Sequence, residues 1–301
     1  MSKYDGGINK NVVGEGDRAE GDQKDYYDKS SHYDTVWGED NIHLGYYPHL
    51  VGAVGGDNLA VLNNKQAADC LTKRMIDVGR INHKSTLLDL GCGKGQACKL
   101  IAQQTGAKCV GVDIGHVNVV RANEVAATMP ELGMEFYEGS FTDIPKEASN
   151  RKYSVVFVQV AFCHVHNELP AIIELCKTVL APNGVLLVND YLGCDLPGGA
   201  SKDTQEHVWK RLHFDYLHGH VAWRHIVEQA GFDIIFYENL DTHMAQTYDD
   251  MERSARQVGF KSADGVDLAT NYNQTAKAIR AGEIGMNLAL MTLGSMKAAK
   301  L

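Results

Sequence analysis

Residues 88–95 read Leu-Asp-Leu-Gly-Cys-Gly-Lys-Gly, an apolar run that empties into three alternating glycines and then a helix-forming stretch from Gln96 to Gln104. Glycine adopts backbone angles closed to other residues, so such a turn can lay main-chain N–H groups against a ligand at a helix start. Further short apolar runs stand at 85–91, 108–114, 134–140, 153–161 and 184–192, with helix-period segments between them. This alternation predicts βα units and a mostly parallel sheet covered by helices on both faces. Two later runs, 232–240 and 285–293, follow a break in the rhythm, where helices are expected near 203–218, 221–230 and between 241 and 282.

The glycine spacing decides what kind of ligand the turn suits. A dinucleotide fingerprint reads G-x-G-x-x-G, whereas Gly91, Gly93 and Gly95 form G-x-G-x-G, with Asp89 two residues upstream. A pyrophosphate is disfavoured beside that carboxylate, while a ligand bearing ammonium and sulfonium charges is favoured. The spacing therefore argues against a nicotinamide dinucleotide and for S-adenosylmethionine. Asp113 ends the second apolar run, 22 residues beyond Gly91. That is near the offset of roughly 20 residues at which an acid accepts from ribose hydroxyls in nucleotide-binding α/β sheets. Ile114 follows it, and Ser140 and Phe141 close the third run with a polar atom and a flat face for an adenine ring.

Composition narrows the partners. The chain has 301 residues, and 29 Lys and Arg against 38 Asp and Glu give a net charge of −9, which speaks against gripping a nucleic-acid backbone. No apolar run reaches the roughly 18–20 residues of a membrane span, and the N-terminus lacks a signal-peptide pattern, so a cytoplasmic protein is expected. The 7 Cys contain no CxxC pair and read as reduced core residues. His164 and His166 are the nearest approach to a metal pair, with no third ligand at a usable spacing, so no metal is expected. Residues 1–24 read as a disordered tail and 25–58, dense in aromatics, as a lid. Residues 59–193 then form the cofactor-binding core, 194–284 the acceptor-site helices and sixth strand, and 285–301 the closing strand.

Taken in order, the loop, Asp89, Asp113 and the Ser140–Phe141 pair resemble the class I S-adenosylmethionine-dependent methyltransferases over roughly residues 60–193 and the closing strands. The resemblance implies a Rossmann-like sheet of seven strands whose last runs antiparallel, with the three glycines beneath the methionine moiety. Tyr26-Tyr27-Asp28 and the string from Val36 to Tyr47, with Ser140 to Pro145 and Ala161 to His164, are similar to the sarcosine and dimethylglycine N-methyltransferases. In that family the N-terminal segment closes over the cofactor, which places Tyr26, Tyr27, Trp37 and His43 in the lid. The same resemblance implies catalytic roles for Tyr26, Gln159 and His164, and cofactor contacts from Trp37 and Gln159. Acceptor contacts are then expected from Tyr27, Tyr46, His164, Trp223 and Arg224. Arg224 is the basic candidate for an acceptor carboxylate, and the oligomer is expected to be a monomer or homodimer.

One departure bears on the chemistry. Where those enzymes and the phosphoethanolamine methyltransferases carry an Asp after the residue matching Gln159, this chain has Val160. An amine acceptor must shed a proton before attack, and the carboxylate is its natural partner. A thioether has a free lone pair and nothing to shed. Both readings stay open, nitrogen methylation of the betaine-forming kind and sulfur methylation giving a sulfonium such as dimethylsulfoniopropionate. Two rivals are a non-catalytic scaffold that keeps the fold and an NAD-dependent oxidoreductase.

Overall fold

Strand side chains alternate between two faces, and in this chain that alternation sorts the whole core. The computed structural model describes residues 43–51, 62–259 and 267–294. Its strands are β1 (Thr86–Leu90), β2 (Lys108–Asp113), β3 (Glu135–Glu138), β4 (Tyr153–Gln159), β5 (Leu180–Gly193), β6 (Phe232–Asn239) and β7 (Ile284–Leu293). They form one sheet in the order β3-β2-β1-β4-β5-β7-β6, parallel except for β7, which runs antiparallel to β5 and β6. The Rossmann-like class and the reversed last strand are therefore as expected.

Leu87, Phe157, Leu187 and Leu288 face one layer, made of α1 (Asn64–Gly79), α2 (Gln96–Thr105), α3 (His116–Thr128), α6 (Asp241–Val258) and α7 (Leu268–Arg280). Leu88, Val156, Val188 and Met291 face the other, which holds α4 (Leu169–Val179) and α5 (His220–Gln229). Local signals start and stop these helices. Asn63 and Gln66 form a reciprocal capping box at the head of α1, and Gly106 ends α2 in the left-handed conformation at φ 72°.

The sheet order reverses between β1 and β4, and at such a point the loops leave the strand ends in opposite directions and open a crevice. Stepping by two along each strand puts Asp89, Asp113, Gln159 and Tyr191 on the same face as Leu87, Cys109, Phe157 and Leu187, at the carboxyl edge. Two expected helices differ from the structure. The region 203–218 contains one turn of α-helix at Lys202–Thr204 and a π-turn at Gln205–Trp209, and the span 241–282 is split by Gly259 at φ 70° into α6 and α7. Among the described residues no helix is long and apolar enough to cross a membrane.

Candidate active site

The glycine turn is held by its own amides, and the expectation that these N–H groups face a ligand is corrected, because those of Gly91, Cys92, Gly93 and Gly95 all donate to protein acceptors. The amides of Gly91 and Cys92 both donate to Val112 O, at 2.8 and 3.1 Å, which ties the turn to β2. Gly91, Gly93 and Gly95 have φ of 83°, 52° and 78°, a region where side chains are strained. A Cβ on Gly91 would stand 2.4 Å from Ala161 Cβ, and one on Gly95 would stand 2.7 Å from Phe136 Cζ. At Gly93 a Cβ would meet no atom of the described residues within 4 Å, which leaves room there for a ligand. Asp113 spans both sides of the turn, accepting from Gly93 N at 2.8 Å on Oδ2 and from Gly115 N at 2.8 Å and Asn118 Nδ2 at 3.2 Å on Oδ1. Asp113 is half-buried at the lip of the turn, and its Oδ1 already accepts twice. Ile114 is half-buried beside it, Ser140 Oγ lies 2.7 Å from Thr142 Oγ1, and Phe141 packs edge-on to Phe162 at 5.6 Å.

The neighbouring strand ends build a second, more aromatic region. Gln159, buried at the end of β4, accepts from Thr72 Oγ1 of α1 at 3.2 Å, and its Nε2 has no partner among the described residues. Val160 follows at φ 57°, an unusual backbone state for a β-branched residue, with its amide donating to Asn189 O at 2.8 Å. Strain of this kind concentrates at functional sites. Asp190 points to the opposite face and accepts from Cys163 N at 3.0 Å, which anchors the turn that carries His164. Burial holds the His164 imidazole down at about 4, with a hydrogen bond to the His213 backbone working the other way. Its ring stands 5.5 Å from Phe214, which stands 5.2 Å from Tyr191, whose hydroxyl is 2.6 Å from that of Tyr248.

Arg211 completes this region. It donates to Thr275 Oγ1 of α7 at 2.7 Å and lies 5.8 Å over the Tyr272 ring, while its buried Nε has no partner among the described residues. Sequence reasoning passed over Arg211, Tyr191, Phe214 and Tyr248. Of these only Tyr191 carried a signal, its even spacing from Leu187 on β5.

The other expected acceptor residues are elsewhere. Trp223 is fully buried between α5 and the sheet with Val227 and Phe232, and Arg224 faces solvent over the Tyr237 ring at 5.2 Å. Both sit on the helix layer opposite Gln159 and Tyr191, so the structure does not bring the residues expected on α5 together with those two. The physical reason is the handedness of the faces, since α5 covers the side that Leu192 faces and not the side that Tyr191 faces. Tyr46 is buried, stacks on His243 at 4.2 Å and reaches Glu238 at 3.4 Å, so its ring is committed to α6 and β6. Half-buried His43 precedes it. Tyr26, Tyr27 and Trp37 lie outside the described residues. Among the described residues no cluster of three His, Cys, Asp or Glu side chains is placed to hold a metal.

A family model described as a methyltransferase domain matches residues 81–231, half of the chain. The chain belongs to that family. It is a class I S-adenosylmethionine-dependent methyltransferase domain, and the open cradle over Gly93 with Asp113 beside it fits that cofactor. The methyltransferase is 28% identical over 229 residues to a glycine/sarcosine/dimethylglycine N-methyltransferase of Actinopolyspora halophila, covering 75% of this chain and 38% of that protein. It is 24% identical to phosphoethanolamine N-methyltransferase 1 of Triticum aestivum, over 73% of this chain and 44% of that protein. The chain thus spans about two fifths of the length of the curated relatives it matches. Its fold matches the geranyl diphosphate C-methyltransferase of Streptomyces coelicolor, solved with S-adenosyl-L-homocysteine, at TM-score 0.71, 14% identity and coverage of 91% and 97%.

Beneath the loop of this methyltransferase Asp89 is 2% exposed, and burial raises its carboxyl to about 7, with the Cys98 thiol 3.4 Å away working against that rise. The charge of Asp113 adds to it. S-Adenosylmethionine carries one more positive charge than S-adenosylhomocysteine, and a cation favours the ionised carboxylate. As pH rises through that value the carboxylate forms, so the affinity ratio of the two ligands should shift toward the sulfonium. The shift should come to roughly threefold to tenfold between about pH 6 and pH 8. Titration calorimetry at both pH values measures it, and Asp89→Asn should make the ratio flat. A ratio that stays constant in the unmodified protein would remove Asp89 from the cationic environment.

Proposed function

We propose that this methyltransferase domain transfers a methyl group to a small carboxylate-bearing acceptor, at a thioether sulfur, giving a sulfonium. Val160 carries this reading, because it puts an apolar side chain where the resembling amine methyltransferases hold a carboxylate. The nearby His164, held near 4, is a poor substitute base. Taking a proton from an ammonium near pKa 10 would run uphill by roughly 8 kcal/mol. A thioether needs no such step.

Bound over the glycine turn, S-adenosylmethionine supplies an activated methyl group and a leaving group of its own. What remains for the chain is positioning and exclusion of water, and well-oriented groups can supply about 7–11 kcal/mol. The glycine turn and Asp113 would cradle the nucleoside through close backbone approach, and the Nε2 of Gln159, unpartnered among the described residues, would donate to a ligand oxygen. Arg211 would receive the acceptor carboxylate, a group its planar fork matches. The rings of Phe214 and Tyr191 would face the positive charge that appears on the acceptor, worth about 0.5–2 kcal/mol by cation–π attraction.

A nitrogen acceptor is the second reading, favoured by the names of the two curated relatives. Assays with labelled cofactor on methylthio acids, sarcosine, dimethylglycine and phosphoethanolamine separate the two. Cofactor binding without turnover on any of them would favour the scaffold role instead. Val160→Asp should fold at least as well, since Asp tolerates a positive φ better than Val. It should raise amine methylation by about tenfold and depress sulfur methylation, the new carboxylate being unpartnered beside a neutral thioether. Unchanged rates on both acceptors would show that position 160 does not set specificity.

A further inference from the structure

The proposed acceptor contacts Arg211 and Phe214 sit on the connection between β5 and α5, which contains only a single α-turn and the π-turn and so lacks a long helix. Its far end is tied by His218, whose amide donates to His166 Nδ1 at 2.9 Å, and by the bond from Gly193 N to His218 O at 2.8 Å. Its near end is packed through Val208 and tied by hydrogen bonds to one carboxylate oxygen. Glu283 Oε2 accepts from Ser201 N at 3.3 Å, from Ser201 Oγ at 2.7 Å and from Thr204 Oγ1. Ser201 Oγ in turn caps the turn by accepting from Thr204 N at 3.2 Å. Glu283 is itself fixed, since it immediately precedes β7 and its amide donates to Ala278 O at 3.0 Å. The carboxyl lies below its usual range even though burial opposes ionisation, because Thr204 and Ser201 favour the charged form. All three donors are neutral, so the cluster is a latch of charge-assisted hydrogen bonds and is unlike a surface ion pair.

We propose that Glu283 is a positioning residue for the acceptor. Its carboxylate pins residues 201–204 and thereby sets where Arg211, seven residues further on, meets the acceptor carboxylate. This rests on the assignment of Arg211 to that carboxylate, and the experiment separates the two. Glu283→Gln keeps size and one acceptor oxygen but loses the charge, and hydrogen bonds to a charged acceptor are roughly twice as strong as neutral ones. The variant should raise KM for the carboxylate acceptor by about fivefold to tenfold, with kcat changed by less than about twofold and S-adenosylhomocysteine affinity unchanged. Ser201→Ala, which removes the hydroxyl donor to Glu283 and keeps the backbone one, should move KM in the same direction by about twofold to threefold. The double variant Arg211→Ala with Glu283→Gln should be no worse than Arg211→Ala alone, because a latch acting through Arg211 has nothing left to position. An Arg211→Ala variant with normal KM overturns the underlying assignment. If Arg211→Ala raises KM while Glu283→Gln and Ser201→Ala do not, or if the two substitutions add fully, the latch is overturned and the assignment stands.

Discussion

Replacing Gly91 by alanine should lower S-adenosylhomocysteine affinity at least roughly thirtyfold, the equivalent of about 2 kcal/mol. Two costs arise together. A left-handed backbone angle, here φ 83°, costs a residue with a Cβ roughly 1–2 kcal/mol. Forcing a methyl into packed space costs about 1–3 kcal/mol more, and here Ala161 Cβ would be 2.4 Å away. Part of this strain is relieved if the turn shifts, but the turn's backbone then leaves the position over which the ligand would lie. Gly93→Asn is the informative partner. Asn tolerates a positive φ, and a Cβ at Gly93 meets no atom of the described residues within 4 Å, so the variant should unfold at the normal temperature and yet bind the cofactor poorly. Calorimetry on both variants, with circular dichroism as the check on folding, gives the answer. Binding within threefold of the parent for Gly93→Asn would mean that no ligand lies over this turn.

The legibility of this chain divides along the sheet. Cofactor-side residues follow strand ends directly, so Gly91 to Gly95, Asp113, Ile114 and Phe141 could be placed by counting from apolar runs, and the structure gathers them at one carboxyl edge. The acceptor side depends on which helix covers which face, and that follows from the crossings between strands, which local pattern does not encode. Arg224 stood out because it adjoins Trp223, yet α5 carries Trp223 into the layer opposite Gln159. Arg211 lies in a stretch that reads as ordinary helix, because the π-turn at Gln205–Trp209 has no sequence mark of its own. The break at Gly259 was readable, since glycine in a left-handed cap is a common helix stop. The alternation along β4 and β5 also held more than motif spacing alone used, for it puts Gln159 and Tyr191 on one face once the strand phases are fixed by Phe157 and Leu187.

Arg211→Ala should raise the acceptor KM by about 10-fold to 100-fold, because a hydrogen bond to a charged partner is worth about 1.5–3 kcal/mol. The half-buried guanidinium bonds Thr275 and leaves its buried Nε without a partner among the described residues, so it has both charge and a donor to offer a carboxylate. Affinity for S-adenosylhomocysteine should be unchanged, since the cofactor-side contacts of Asp113 and the glycine turn belong to other strand ends. Arg211→Lys should recover only part of the loss, as an ammonium has no planar fork with which to hold both oxygens. Arg224→Ala supplies the control. Its guanidinium is exposed over Tyr237 on the opposite helix layer, so acceptor kinetics should change by less than about twofold. Comparing each acid with its methyl ester isolates the charge, for the ester should be a poor acceptor for the parent and scarcely worse for Arg211→Ala. If the larger effect belongs instead to Arg224→Ala, the acceptor enters from the α5 side, and the aromatic wall of Tyr191 and Phe214 is then only packing.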